Sequence, residues 1–167
     1  VESCNILIFA DDCKLSISSR HVEYGKLMQN DLDKIFAYFA HRQLALSVQK
    51  SKVIYFGKKN KRFNYYIDGL KLTADTQTKD LGIIFSQNLK FGDHINKTVE
   101  KAMRHVNLLN IVFSKTKQLH LKYYKAMILP ILEYGSEVVT GINKSLINKL
   151  EKVQRRFTKR LLPGVPY

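Results

Sequence analysis

The chain has 167 residues, 45% of them apolar, and 28 Lys plus Arg against 14 Asp plus Glu, a formal net charge of +14. That length and composition suit one ordinary domain or two small ones with a buried core and exclude a disordered chain. No apolar run approaches the roughly 20 residues of a membrane-spanning helix, and two cysteines make neither a disulfide framework nor, with the histidines, a zinc ligand set. A reducing, intracellular compartment is the default. The positive excess favours a polyanionic partner, nucleic acid or an anionic membrane surface, although charge that serves only solubility gives the same total. The start, Val1-Glu2-Ser3-Cys4, has no Met and no signal-peptide character, and reads as a cut through a longer protein.

In chain order, residues 5–9 form a short apolar run ending in Ala10-Asp11-Asp12, and residues 14–18 alternate polar with apolar. Together they predict a β-hairpin with two aspartates at its tip. Across that hairpin Cys4 and Cys13 sit too far apart along opposite arms to be bridged. Over residues 24–44, Tyr24, Leu27, Met28, Leu32, Ile35, Phe36, Phe39, Ala40 and Leu44 recur at three- and four-residue spacing, the stripe of a helix covering one side of a sheet. A strand over 53–56 ends at Gly57 and a basic loop. Runs at 63–67 and 70–72 flank Asp68-Gly69, a strong hairpin signal because both turn positions need positive φ. A last strand is expected over 81–85.

Beyond Asn88 the texture changes. Residues 1–88 carry 13 basic and 9 acidic side chains, residues 89–167 carry 15 and 5. Asp93 can cap a helix with Ile95, Val99, Ala102, Val106, Leu109 and Phe113 on one seam. A second helix is expected over 119–139, kinked or split at Pro130. A third follows Asn143, with Leu146, Leu150, Val153, Phe157 and Leu161 on one side and basic residues on the others. The expected fold class is α+β, with a strand-rich part over 1–88 and a basic three-helix bundle over 89–167.

Two adjacent carboxylates at a hairpin tip can hold divalent metal, and polymerases use such groups to bind two Mg²⁺ ions about 4 Å apart. Neighbouring strand residues point to opposite faces, so only one of Asp11 and Asp12 can aim squarely at metal unless the turn bends the chain. An ordinary polar turn would use the same residues.

Phe9-Ala10-Asp11-Asp12 with Lys14-Leu15, then Leu32-Asp33-Lys34, Gln43-Leu44 and Lys50-Ser51-Lys52-Val53-Ile54-Tyr55-Phe56-Gly57, resembles the second half of the palm in reverse transcriptases of non-LTR (LINE-type) retrotransposons. The resemblance continues through Lys79-Asp80-Leu81-Gly82-Ile83, Leu89-Lys90-Phe91, His94-Ile95 and Lys101-Ala102, which look like the primer-grip region and the helix after it. Pro130 with Leu132-Glu133-Tyr134, and residues 150–157, look like the family's downstream helices. There is no Trp in the chain; Tyr38 and Val139 occupy slots where the family often has one, and Ser47 stands where Asn is usual.

The resemblance implies a partial palm with primer-grip region over 1–88, and thumb and connection helices over 89–167, of an RNA-directed DNA polymerase. Asp11 is then a metal ligand and Asp12 its neighbour in the same cluster, serving an Mg²⁺ pair completed by residues outside the chain. Lys50 falls where a cation would meet the incoming nucleotide, and Leu81 and Gly82 match the turn that holds the primer end. Lys97, Lys101, Arg104, Lys152, Arg155 and Arg156 are candidates for phosphate contacts that position a duplex without reading bases. The implied partners are an RNA template, a DNA primer and dNTPs, with no membrane and no disulfide-linked partner, and the implied setting is a nuclear and cytoplasmic ribonucleoprotein. With the family's earlier palm aspartate and fingers missing, the chain alone is expected not to polymerise. The competing expectation is a noncatalytic nucleic-acid-binding remnant of a decayed or domesticated element.

Overall fold

The computed structural model describes residues 2–112, 117–162 and 164, and for residues 110–112 the backbone alone. The chain divides into two units, 1–78 and 79–167. The division falls ahead of the composition change near Asn88, because the strand over Ile83–Ser86 contributes its buried residues to the core of the helical unit.

The first unit opens with β1 (Asn5–Phe9) and β2 (Asp12–Ser16), antiparallel with Asn5 opposite Ser16 and Phe9 opposite Asp12. The second strand begins two residues earlier than its alternation suggests, since the link between the strands is only Ala10-Asp11. Helix α1 (Tyr24–His41) follows. Its predicted last turn to Leu44 is cut short at Gln43, whose φ is 57. The Gln43 N–H bonds the Ala40 carbonyl (3.0 Å) and the Leu44 N–H bonds the Phe39 carbonyl (2.9 Å), the paired closure of a Schellman motif. It was not foreseen because the left-handed position holds Gln where Gly is usual.

Strand β3 (Lys52–Ile54) runs parallel to an unforeseen strand, β6 (Thr73–Asp75), with Val53 opposite Ala74. Between them β4 (Tyr66–Ile67) and β5 (Leu70–Lys71) form the expected hairpin, with φ of 50 at Asp68 and 71 at Gly69. The core is Tyr65, Ile67 and Leu72, packed against Met28, Leu32 and Phe36 of α1 and Val53 of β3.

β7 (Gln77–Asp80) pairs with β8 (Ile83–Ser86). The predicted strand over 81–85 is therefore corrected: Leu81 and Gly82 are the turn of a hairpin, with φ of 43 and 86, and strand begins only at Ile83. Helix α2 (Gly92–Val112) starts at Gly92, so Asp93 lies inside its first turn, where a carboxylate meets the positive end of the helix dipole, and is not the cap. The seam at Ile95, Ala102, Val106 and Leu109 is buried as expected; Phe113 lies outside the described residues. Buried His94 packs on β8, its Nδ1 accepting the Ile84 N–H at 3.4 Å.

The predicted helix over 119–139 is broken into parts. α3 (Lys117–Tyr123) leads into a π-helical turn (Tyr124–Ile128) and then α4 (Leu129–Glu133). The Leu129 N–H reaches back five residues to the Tyr124 carbonyl. That extra residue lies immediately before Pro130, which has no N–H to give and whose ring would crowd the carbonyl four residues back in a regular helix. The helix ends at Glu133: Tyr134 turns to ψ 123 and Gly135 to φ 74, so Val139 is not helical. Helix α5 (Lys144–Leu161) is capped by Asn143, whose side chain accepts the Leu146 N–H at 3.0 Å.

Ala102, Val106 and Leu109 of α2, Tyr124 and Ile128 of the π turn, and Val153 and Phe157 of α5 make one core, in which the Tyr124 and Phe157 rings stack at 4.2 Å. A second, smaller core joins Ile83, Phe91, Ile95 and Val139. No helix among the described residues is long and apolar enough to cross a membrane.

Candidate carboxylate hairpin and nucleic-acid interface

Asp11 and Asp12 stand at the exposed tip of the first hairpin. Phe9 and Asp12 form the last residue pair, and Ala10-Asp11 closes the link with Ala10 at φ 52. An alanine there carries backbone strain, set against the ladder of residue pairs from Asn5–Ser16 to Phe9–Asp12. The hairpin is anchored at its base. Asp31 of α1, 2% exposed, accepts the backbone N–H groups of Glu2, Ser3 and Cys4 at 3.0, 2.9 and 2.8 Å. Burial on its own would raise the Asp31 pKa, but these donors and the Cys4 thiol outweigh it and hold the carboxyl at about 2, against an ordinary 3.8. The same arrangement, led by burial of the thiol, pushes Cys4 up to about 11. Cys4 and Cys13 are free thiols.

Among the described residues no third His, Cys, Asp or Glu joins Asp11 and Asp12 in a metal-sized cluster. Lys50 is exposed in the turn between α1 and β3, its N–H on the Ser47 carbonyl at 3.2 Å. No hydrogen bond or ion pair among the described residues joins Lys50 to either carboxylate.

In the helical unit, the link at Leu81-Gly82 is met by Tyr134. The Tyr134 hydroxyl donates to the Leu81 carbonyl at 2.5 Å, and its ring edge lies 3.0 Å from where a β-carbon on Gly82 would be. In the sequence Tyr134 stands only as part of the Leu132-Glu133-Tyr134 motif, which gives it no role.

The basic candidates are all exposed, Lys97, Lys101 and Arg104 on α2 and Lys152, Arg155 and Arg156 on α5. Arg104 pairs with Glu100 at 3.3 Å and Arg155 with Glu151 at 2.5 Å, both one helical turn away. Lys149 Nζ donates to Asn96 Oδ1 at 2.7 Å, and Arg160 donates to the Val106 carbonyl and to Asn107 Oδ1 at 3.4 Å. Both ties join residues 53 apart, Asn96 to Lys149 and Asn107 to Arg160, so α2 and α5 run in the same direction. Lys152, Arg155, Arg156, Lys159 and Arg160 lie together on one face of α5. Burial, and then the charge of Arg156, lower the Arg160 pKa. In the sequence Lys159 and Arg160 belong to the polar face of the helix and carry no signal of their own as site residues. The seven basic residues of α5 against one Glu were the available signal, because on so polar a helix only the buried stripe is unavailable to a ligand.

No protein-family model matches the chain, and no solved structure matches it. Over 105 residues it is 26% identical to a probable RNA-directed DNA polymerase from transposon BS of Drosophila melanogaster. That match takes in 60% of this chain and 12% of the relative, so the chain corresponds to a small part of that protein. The likeness is distant and partial, and it points to a region related to reverse transcriptases.

Proposed function

We propose that the chain is a fragment of a non-LTR retrotransposon reverse transcriptase, with Asp11 and Asp12 contributing part of its catalytic carboxylate cluster and α2 and α5 carrying the template–primer duplex. The observation that carries the reading is the similarity to the transposon polymerase, supported by the ordered motifs of the sequence. The positive charge concentrated on α5, seven basic residues against one Glu, fits the same reading.

In this reading Asp11 and Asp12 would hold Mg²⁺ together with ligands from elsewhere in the whole protein. When bound, such a metal pair supplies activation of a primer 3′ hydroxyl and neutralisation of the leaving pyrophosphate. The chain's own residues supply position. Asp31 ties the approach to β1 onto α1, so that the carboxylate tip projects from an anchored base. Lys50 supplies a cation for the triphosphate of an incoming nucleotide. Lys97, Lys101 and Arg104 on one helix, with Lys152, Arg155 and Arg156 on its parallel partner, supply phosphate contacts whose spacing is held by the Lys149 and Arg160 ties.

The test is fluorescence-anisotropy titration of an RNA–DNA duplex with a recessed primer end across a range of salt. The affinity should fall steeply and linearly on a log–log plot and depend little on sequence. Lys152→Ala and Arg156→Ala should each lower the salt slope by about 1 while weakening all sequences alike. Salt-insensitive binding, or none at low salt, removes the interface.

A further inference from the structure

The third hairpin turn is built against the preferences of its own residues. A two-residue link of this kind needs left-handed backbone at both positions, and Gly82 accepts that freely at φ 86 while Leu81, at φ 43, does not. Leu81 is also half exposed (42%), so its side chain does little to hold the turn through burial. The support comes from 53 residues further along the chain. Tyr134 leaves the end of α4 and donates its hydroxyl to the Leu81 carbonyl, with its ring laid against Gly82. The next residue closes the contact from the other side: Gly135 has φ 74, and a β-carbon there would lie 2.7 Å from Ile83 Cδ1. Backbone of the 134–135 corner thus packs against the first residue of β8, and Ile83 belongs to the core shared with Ile95 and Val139.

We infer that Tyr134 is a positioning residue for the Leu81–Gly82 turn, fixing the direction in which that turn presents its backbone to a primer end. The inference rests on the reading of the chain as a reverse-transcriptase fragment for the ligand, and on the hydrogen bond and ring contact for the mechanism. Tyr134 acts through the turn. Tyr134 is 57% exposed, so the residue stays accessible while its hydroxyl is engaged.

The experiment uses the full chain and its Tyr134→Phe variant, which keeps the ring and removes only the hydroxyl. Hydrogen exchange measured by mass spectrometry should show residues 80–83 exchanging about fivefold faster in the variant, the factor that one modest hydrogen bond commands. Amides of α2 and α5 should be unchanged. In parallel, a DNA primer carrying 4-thiothymidine at its 3′ end, annealed to RNA, is photo-crosslinked to each protein and the adducts mapped. The wild type should crosslink at residues 80–83, and the variant should spread its adducts to other positions while its duplex Kd stays within about twofold, since one hydrogen bond lost outside the phosphate contacts leaves the electrostatic affinity in place. Unchanged exchange at 80–83 overturns the inference and leaves the reverse-transcriptase reading standing. Faster exchange with wild-type adducts mapping away from the turn overturns the primer-binding reading instead, and with it the role assigned to Tyr134.

Discussion

Among the described residues three hairpins turn through two residues, and each turn is held differently. At Asp68-Gly69 both residues have positive φ and both are chemically suited to it, since a short polar side chain and a missing one tolerate the left-handed region. Nothing lies within 4 Å of a β-carbon added at Gly69. At Leu81-Gly82 one of the two residues is unsuited, and Tyr134 bonds and packs against the link. At Ala10-Asp11 the unsuited residue is Ala10, and the hold is at the opposite end of the hairpin, where Asp31 gathers three backbone donors. The two turns that resemble functional motifs are the two that local sequence does not stabilise by itself. The third turn is held directly by a side chain far along the chain, which is how a strained turn keeps one geometry, whereas at the first hairpin Asp31 fastens the segment that enters β1 and leaves the turn itself untouched.

The largest expected effect is at the first hairpin. Asp31→Ala removes the acceptor of three donors and should cost about 3 kcal/mol of stability in the 1–78 unit, since bonds to a charged group are the costly ones to lose. The pH dependence follows from the carboxyl lying at about 2 when folded against an ordinary 3.8. A depressed value stabilises the fold fully above about pH 4, and that contribution, on the order of 2 kcal/mol, is lost as pH falls toward 2. Denaturant unfolding of the wild type should therefore weaken through that window while Asp31→Asn stays comparatively flat. Parallel curves for the two proteins would remove the anchor from the comparison.

Next in size is the contrast between the glycines. Gly82→Ala meets a φ of 86 and the Tyr134 ring at 3.0 Å, and should cost about 2 kcal/mol. Gly69→Ala meets only its φ of 71 and should cost about 1 kcal/mol. Hydrogen exchange, read separately on α1 and on α2, assigns each loss to its own unit. Equal costs would show that the third turn, like the second, is a local matter.

Much of the architecture is legible in the residue pattern. The stripe at Ile95, Ala102, Val106 and Leu109 predicts its buried face, Asp68-Gly69 predicts its hairpin, and Asn143 announces the start of α5. The misses have physical causes. The strand β6 was unreadable because Thr73-Ala74-Asp75 has no apolar alternation and is specified by its partner β3. The end of α1 was missed because Gln43 takes a conformation that tertiary packing tolerates and propensity does not favour. The helix over 119–139 was overextended because a periodic pattern carries no sign of a π turn or of the corner at Tyr134-Gly135. Of the candidate site, the residue types were legible at Asp11, Asp12 and the basic faces of α2 and α5. Their supports at Asp31, Tyr134, Lys149 and Arg160 were not.

What the sequence determined by itself was the set of local elements and the charge: amphipathic helices with their buried stripes, a turn of Asp and Gly, a carboxylate pair after an apolar run, and an excess of cations after Asn88. These depend on periodicity and on backbone preference, which act within a few residues. Only the tertiary structure decided that Asp31 holds the base of the first hairpin, that Tyr134 meets Leu81 and Gly82, and that α2 and α5 run parallel with their polar ties 53 residues apart. Each of those is a hydrogen bond across a long loop, formed only once hydrophobic burial has brought the two segments together.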